Sequence, residues 1–261
     1  MSATPADPQT SSVPEGLEPA YGTFRTEPVS FIRRSGRLST GQANALERSG
    51  ERLIIDVPRA IARTSVDPGF ELDVAAVFGR RAPLVVEVGT GMGECVAAAA
   101  AARRDVDHIA LEVYLPGLAQ TILRAEREDV TNLRLVQANA PEVFATTLPA
   151  GSADEVWVFF PDPWPKARHH KRRLVTPSFA ELVARVLRPG GVWRLATDWR
   201  PYAEEMIEVI GASPDFEPLE PGTDGTVARF DGRVLTSFEA KGLRAGREAT
   251  DLAFRRRDRR S

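Results

Sequence analysis

From residue 83 to residue 198, short apolar runs alternate with longer helix-like stretches. PLVVEVG (83–89) reads as a buried strand, and GMGECVAAAAAARR after it as a helix rich in the residue of highest helix propensity. DHIALEV (107–113) is a second strand, followed by a helix from about Leu115 to Glu128. NLRLVQA (132–138) is a third, and a short helix around Glu142–Thr147 leads to a fourth, EVWVFF. TPSFAELVARVL (176–187) is apolar at 179, 182, 183, 186 and 187, the spacing of an amphipathic helix. It stops at Pro189-Gly190-Gly191, and VWRLATD (192–198) is a fifth strand. Flanking this block are a short helix in ELDVAAVFG ending at Gly79, a helix near Pro201–Ile210, and weaker strands around Phe216–Leu219 and Asp251–Arg255. No internal repeat is visible. Strands alternating with helices predict an α/β fold, a parallel, doubly wound sheet with right-handed crossovers.

The alternation starts near Phe70, so residues 70–261 are expected to form the domain. Residues 1–28 are rich in Pro, Ser, Thr and Glu and cannot bury enough apolar surface to offset ordering, which predicts a disordered tail. Residues 29–69 form a basic arm carrying Arg33, Arg34 and Arg37, either solvated or folded over a ligand.

Composition narrows the class. At 261 residues and 43% apolar content, the chain holds one α/β domain plus a tail. A net charge of −2 argues against a generally basic coat, so the positive charge is local: Lys166 to Arg173, and RRRDRR from Arg255. The single Cys95 allows no internal disulfide and offers no metal-ligand set. No apolar run approaches the roughly 20 residues of a membrane span, and the N-terminus has no apolar signal core. A soluble cytoplasmic protein is expected, with no membrane association.

The run from Phe159 to Arg173 carries the most chemistry. Proline cannot continue a central strand, so the chain leaves the sheet near Pro161. In an open α/β sheet that exit is the ligand-binding edge. Asp162 and Trp164 therefore belong to an active-site rim, with Lys166, Arg168, Lys171, Arg172 and Arg173 beyond it to meet phosphates. Trp164 either stacks on a base or packs. His169 and His170 have no third histidine or cysteine nearby and are not metal ligands.

The second feature is EVGTGMGE, with Gly89, Gly91 and Gly93 between the first strand and its helix. Such a turn lets backbone approach a ligand, and the helix N-terminus favours an anionic group. Glu112, at the end of the second strand, suits two ribose hydroxyls. Asn139-Ala140 ends the third strand at the level of an adenine edge, or is a plain turn. The spacing is GxGxG, with Glu94 where a dinucleotide-binding turn has its third glycine, and the acidic Glu87 precedes it. A carboxylate there repels a pyrophosphate and favours an amino group, such as that of S-adenosylmethionine.

With both regions in view, the sequence resembles the bacterial tRNA (guanine-N-7)-methyltransferase family from about Ser30 to Arg256. The matching residues are RSGRLSTGQ at 34–42, EVGTGMGE at 87–94, LE at 111–112, QANA at 137–140, FPDPWPKARHHKRRL at 160–174, TDW at 197–199, TSFE at 236–239 and the later GREATDLAF. The resemblance implies a class I S-adenosylmethionine-dependent methyltransferase fold, Rossmann-like and seven-stranded. It implies donor contacts at Glu87, the glycines, Glu112, Asn139, Ala140 and Asp162. It also implies substrate contacts at Lys166, Asp198, Thr236, Ser237, Phe238 and Glu239, and RNA along Arg168, His169, His170, Lys171, Arg172 and Arg173. The implied target is a guanine in the tRNA variable loop, modified by a monomer or homodimer without an obligate protein partner. Without the resemblance, Thr236 and Glu239 would read as ordinary loop, and Asp198 as either a helix N-cap or a substrate contact.

Guanine N-7 carries an in-plane lone pair and no proton, so methylation there needs orientation rather than a strong base. Asp162 either accepts from the two donors of the guanine Watson–Crick edge or holds the methyl donor. Three rivals share the sheet: a nicotinamide-dependent oxidoreductase, a non-catalytic RNA-binding module, and a methyltransferase of DNA or protein. The first lacks a Tyr-x-x-x-Lys arrangement and the third dinucleotide glycine, and the second is disfavoured by Glu87, the glycines, Glu112 and Asp162 all being present.

Overall fold

A computed structural model of the chain describes residues 37–258. The disordered tail expected at 1–28, and Arg33 and Arg34 of the arm, lie outside the described residues.

The apolar runs form the expected strands. β1 (Leu84–Val88) and β2 (Asp107–Leu111) are buried along their whole length, and β3 spans Leu133–Val136. β4 (Ala153–Phe159) and β5 (Leu187–Thr197) follow. Strands that read apolar without alternation are those covered on both faces, as parallel sheets are. Helices α2 (Val74–Phe78), α3 (Glu94–Ala102), α4 (Leu115–Arg127), α5 (Ala140–Glu142, continued by a π-turn to Thr147), α6 (Pro177–Val186) and α7 (Arg200–Gly211) fill the intervals. The C-terminal part adds β6 (Phe216–Pro218), β7 (Thr226–Val227), α8 (Ser237–Arg244) and β8 (Thr250–Arg256).

Strand order is β3-β2-β1-β4-β5-β8-β6, with β7 also paired to β8. β1 to β5 run parallel, and β8 is antiparallel to β5, β6 and β7. β6 and β7 meet different residues of the same β8 edge, so eight strands occupy the seven columns expected of the class I methyltransferase sheet. The order reverses between β1 and β4, whose last residues Val88 and Val158 are register partners. Glycine turn and proline loop therefore leave the sheet side by side, at the crevice where such sheets bind ligands.

Three features differ from the sequence expectation. Residues 40–53 of the arm form helix α1 (Thr40–Leu53), started by a Ser39–Gln42 capping box. Its buried stripe, Ala45, Ser49 and Leu53, lies one turn apart and is mostly small, which admits close packing but gives a faint hydrophobic signal. Arg48 and Ser49 both bond Glu126 of α4 at 2.7 Å, so the domain begins well before residue 70. Second, β5 starts at Leu187, paired to Ala153, and Arg188–Gly191 bulge out before Val192 meets Glu155. Gly190 there has φ 78° and a Cβ on Gly191 would meet backbone of Asp154 at 3.0 Å, which is why this proline-glycine run punctuates rather than ends the strand. Third, TSFE begins helix α8 instead of remaining loop, with Thr236 as its N-cap.

Among the described residues, no helix is long and apolar enough to cross a membrane, and no group of His, Cys, Asp and Glu could hold a metal ion.

Candidate active site at the switch point

Two adjoining cavities open where β1 and β4 end, sharing Gly89, Phe159 and Phe160 in their walls. The first, about 230 Å³, runs between Gly89, Glu112, Ala138, Ala140 and Asp162. The second, about 550 Å³, is bounded by Glu87, the glycine turn, Gln120, Arg124 and the Thr236–Phe238 start of α8.

The glycine turn is built for approach. Gly89, Gly91 and Gly93 have φ of 71°, 56° and 71°, a region costly for other residues. A Cβ on Gly89 or Gly91 would meet nothing within 4 Å, whereas one on Gly93 would strike Thr121 of α4 at 2.2 Å. Two glycines thus face the crevice and the third lets two helices close. Gly117, which sequence reasoning passed over, belongs with them, because its Cβ would strike the Gly91 carbonyl at 2.3 Å.

Glu112 follows β2 and is fixed by backbone. Its Oε2 accepts the Gly91 N–H at 2.8 Å, and its Oε1 accepts those of Val113 and Tyr114 at 2.8 and 2.9 Å. Burial, with the nearby Asp162 charge adding to it, raises its pKa against the pull of those N–H groups. Oε1 is filled by its two N–H donors, and Oε2 keeps a further lone pair for a ribose hydroxyl. Asn139 caps the α5 turn, its N–H donating to Thr64 O at 2.8 Å and its amide to Glu142, and Ala140 lines the first cavity beyond it.

Glu87 is 4% exposed, and its Oε2 is buried without a hydrogen-bond partner, as is Thr90 Oγ1. Burial pushes its pKa up to about 8, the Glu112 charge adding to the effect. A buried carboxyl with one oxygen unpartnered is suited to an ammonium group, which would donate to it and match its charge. Open glycines, a Glu112 ready for a ribose hydroxyl and this orphaned oxygen together fit a nucleoside that carries an amino-acid tail.

The rim departs from the sheet as expected. Asp162 is exposed and lines the first cavity. Phe160 and Trp164 hold φ of 52° and 42°, strained for aromatic residues, and Phe160 donates its N–H to Ala196 O at 2.7 Å. Trp164 lines the first cavity, with the Arg172 guanidinium 4.9 Å from its ring and His169 edge-on at 5.8 Å. Lys166, Arg168 and Lys171 are exposed along a 3₁₀ turn, Ala167–Arg172.

Arg173 corrects the sequence reading. It is 2% exposed, ion-paired with Glu205 of α7, bonded to Pro163 O at 2.9 Å and set 4.8 Å from the Tyr202 ring. A guanidinium so enclosed pins the proline loop to α7 and presents nothing to a phosphate. Its neighbour His170 contacts it through Nε2 at 3.2 Å.

The implied substrate run also divides. Thr236, Ser237 and Phe238 line the second cavity, and Phe238, 53% exposed, meets the Phe160 ring at 5.3 Å. Glu239 is instead buried at 3% exposure, both oxygens held by Arg233, with Arg229 adding a third contact. Arg233 bonds Asp251 in turn, at 2.6 Å through two nitrogens. Asp198 caps no helix: it accepts from Arg247 at 2.7 Å and lies against Gly242 of α8. In this structure both carboxylates brace α8 from behind rather than face the cavity.

Glu94 has a role that no motif announced. It accepts the Ser237 N–H at 2.5 Å and Oγ–H at 2.6 Å, plus Arg124 at 2.9 Å, tying α8 to the glycine turn. Burial would raise its pKa, but these donors outweigh it and hold the carboxyl below its ordinary range. Cys95 also lines this cavity, its thiol pushed up by burial and therefore unreactive.

Residues 81–252 match the family model described as a putative methyltransferase. The chain is 43% identical to the tRNA (guanine-N(7)-)-methyltransferase of Paenarthrobacter aurescens, covering 98% of this chain and all of that one. It is 45% identical to the protein of the same name from Cutibacterium acnes, covering 98% and 95%. The figures for Paracidovorax citrulli are 44%, 98% and 99%. Among solved structures, the 16S rRNA methyltransferase KamB superposes with a TM-score of 0.49 at 19% identity, covering 72% of this chain and 95% of that one. On the end-to-end sequence matches, the chain belongs to the tRNA (guanine-N(7)-)-methyltransferase family of S-adenosylmethionine-dependent enzymes.

Proposed function

We propose that this protein transfers a methyl group from S-adenosylmethionine to N-7 of a guanine in the variable loop of tRNA, giving 7-methylguanosine. The observation that carries the reading is the unpartnered Glu87 oxygen beside three open-φ glycines, one edge of the sheet away from an exposed Asp162. Bound there, S-adenosylmethionine supplies an electrophilic methyl on a sulfonium.

The chain's own residues hold and aim. Glu112 takes a ribose hydroxyl, Ala140 and the Asn139 backbone border the adenine, and Glu87 takes the amino group. Asp162 accepts from the two donors on the Watson–Crick edge of guanine, which points N-7 toward the methyl. No residue removes a proton, so the acceleration comes from alignment of two reactants and from exclusion of water. Thr236, Ser237 and Phe238 wall the target from α8, while Asp198 and Glu239 act as positioning residues behind them. Lys166, Arg168, Lys171 and Arg172 meet phosphates of the RNA, with His169 and His170 shaping the same turn. The reading needs no further protein and suits a monomer or homodimer working in the cytoplasm, where tRNA is found.

Incubation of unmodified tRNA with the protein and labelled donor, followed by nucleoside mass spectrometry and fragment mapping, tests it. Labelled 7-methylguanosine in the variable loop is expected. Label in another nucleoside, or in another loop, would overturn the assignment.

A further inference from the structure

An α-amino acid is a zwitterion, and Glu87 answers only half of it. Around the second cavity the charged wall residues are Glu87, Glu94 and Arg124, so Arg124 is the single cation of that lining among the described residues. Its guanidinium is already positioned: Nε donates to the Met92 carbonyl and Nη2 to Glu94, both at 2.9 Å. Those two bonds press the planar fork against the glycine turn and leave Nη1 without a protein partner among the described residues.

We propose that Arg124 receives the carboxylate of the donor's amino-acid moiety, in the same cavity as the Glu87 oxygen that takes its ammonium. The inference rests on the donor reading above and adds the residue that completes it. Guanidinium and carboxylate match in geometry, and a charge-assisted bond of this kind is roughly twice as strong as a neutral one. Glu94 does not compete for the role of ligand anion, because its oxygens are filled by Ser237 and by Arg124 itself. Its contact orients the fork beforehand, so less rotamer freedom is lost when the donor binds. The same carboxylate that latches α8 thus sets the cation that reads the donor.

The test is a cycle between protein and ligand, using S-adenosylhomocysteine, its decarboxylated analogue and 5′-methylthioadenosine, with affinities from calorimetry. The intact protein should bind S-adenosylhomocysteine about ten- to a hundredfold more tightly than the decarboxylated analogue, the span of one hydrogen bond to a charged group. Arg124→Gln should erase that preference while leaving 5′-methylthioadenosine, which has no amino-acid tail, at its original affinity. Arg124→Lys, which keeps the charge without the fork, should restore part of the preference and serves if the glutamine variant folds poorly. Equal losses for all three ligands, or an undiminished preference for the carboxylate, would overturn the proposal. If the intact protein binds none of the adenosyl ligands, the donor reading falls with it. If it binds all three alike, only the Arg124 assignment falls.

Discussion

The donor side of the crevice and the basic rim solve opposite problems with charge. Glu87 is buried with one oxygen left open, and the half-buried Glu112 is fixed by three backbone N–H groups. Lys166 to Arg173 are many and closely spaced, yet adjacent residues do different jobs. Arg172 lies over Trp164 at the cavity wall, whereas Arg173 points inward to Glu205 and Tyr202. An isolated buried carboxyl is a statement about one ligand group, because its ionised form is expensive to leave unmatched. Clustered surface charge is not, since each member can be spent on packing without cost to the cluster's overall field.

The sharpest way to break this contrast is at Asp162, which stands between the two regions. Asp162→Ala should reduce methyl transfer at least a thousandfold, an alignment-scale effect, with circular dichroism and melting unchanged because the side chain is exposed. Near wild-type turnover would remove Asp162 from the reaction. The next largest effect separates the two adjacent arginines. Arg173→Ala should destabilise the protein by roughly 3 kcal/mol, the lower end for breaking a buried ion pair, since Glu205 keeps 31% of its side-chain surface. At this chain size that is a fall of about 6–12 °C in melting temperature. Arg172→Ala should melt within a degree or two of wild type, and equal losses at the two positions would erase the difference between them.

Most of the sheet was legible because period and composition agree there: β1 to β5 read as apolar runs, with Gly89 closing β1 and Pro161 following β4. The meeting of the glycine turn and Glu112 in one crevice followed, since a glycine turn after a first strand and a carboxylate after a second have fixed places in such a sheet. The rest depends on contacts between distant segments. Ser39 to Leu53 carries a stripe of small residues that means nothing until α4 is opposite. Glu94 looks like a missing glycine until Ser237, far along the chain, brings its N–H to it. Arg173 cannot be told from Arg172 by sequence, because what differs is the direction imposed by the proline loop. Glu239 was tied to the target only through the resemblance, and its burial on Arg233 came from a network reaching Asp251 on the last strand.

The donor side makes its own prediction through pH. Glu87 in the folded protein titrates at about 8, above the 4.5 of the free side chain, so the folded state holds more protons between those values. Stability from this group is therefore greatest below pH 4.5 and declines as pH rises to about 8. Donor binding adds a second proton balance. The bound pair needs a carboxylate and an ammonium, and the α-ammonium of a free amino acid, next to its own carboxylate, keeps its proton to higher pH than the roughly 7.7–8.0 of a chain terminus. Below about pH 8 Glu87 must release a proton on binding, and at more alkaline pH the amine must gain one. Affinity for S-adenosylhomocysteine should thus rise by up to about tenfold per unit toward pH 8, level off, and fall again where the free amine loses its proton. Glu87→Gln should abolish the acid limb and keep the alkaline one. An affinity flat from pH 6 to 8 would mean that no ammonium sits on Glu87.

The smallest effect belongs to the rim, and it is a slope rather than a loss. Each phosphate contact formed by a cation releases condensed counterions, so log affinity falls with log salt by up to about 0.9 per contact. Lys171→Ala and Arg172→Ala should each flatten the tRNA salt dependence by less than that, because single-stranded and partly neutralised phosphates release fewer ions. The double variant should lose the sum, since Lys171 is solvent-exposed whereas Arg172 is held over Trp164. Arg173→Gln, measured below its melting transition, should leave the slope untouched although its formal charge change is the same. A slope that tracks the number of positive charges removed, regardless of which arginine supplied them, would mean that the cluster acts as an undifferentiated field. A slope that drops for Arg172 and not for Arg173 ties the RNA to individual side chains on one face of the 3₁₀ turn.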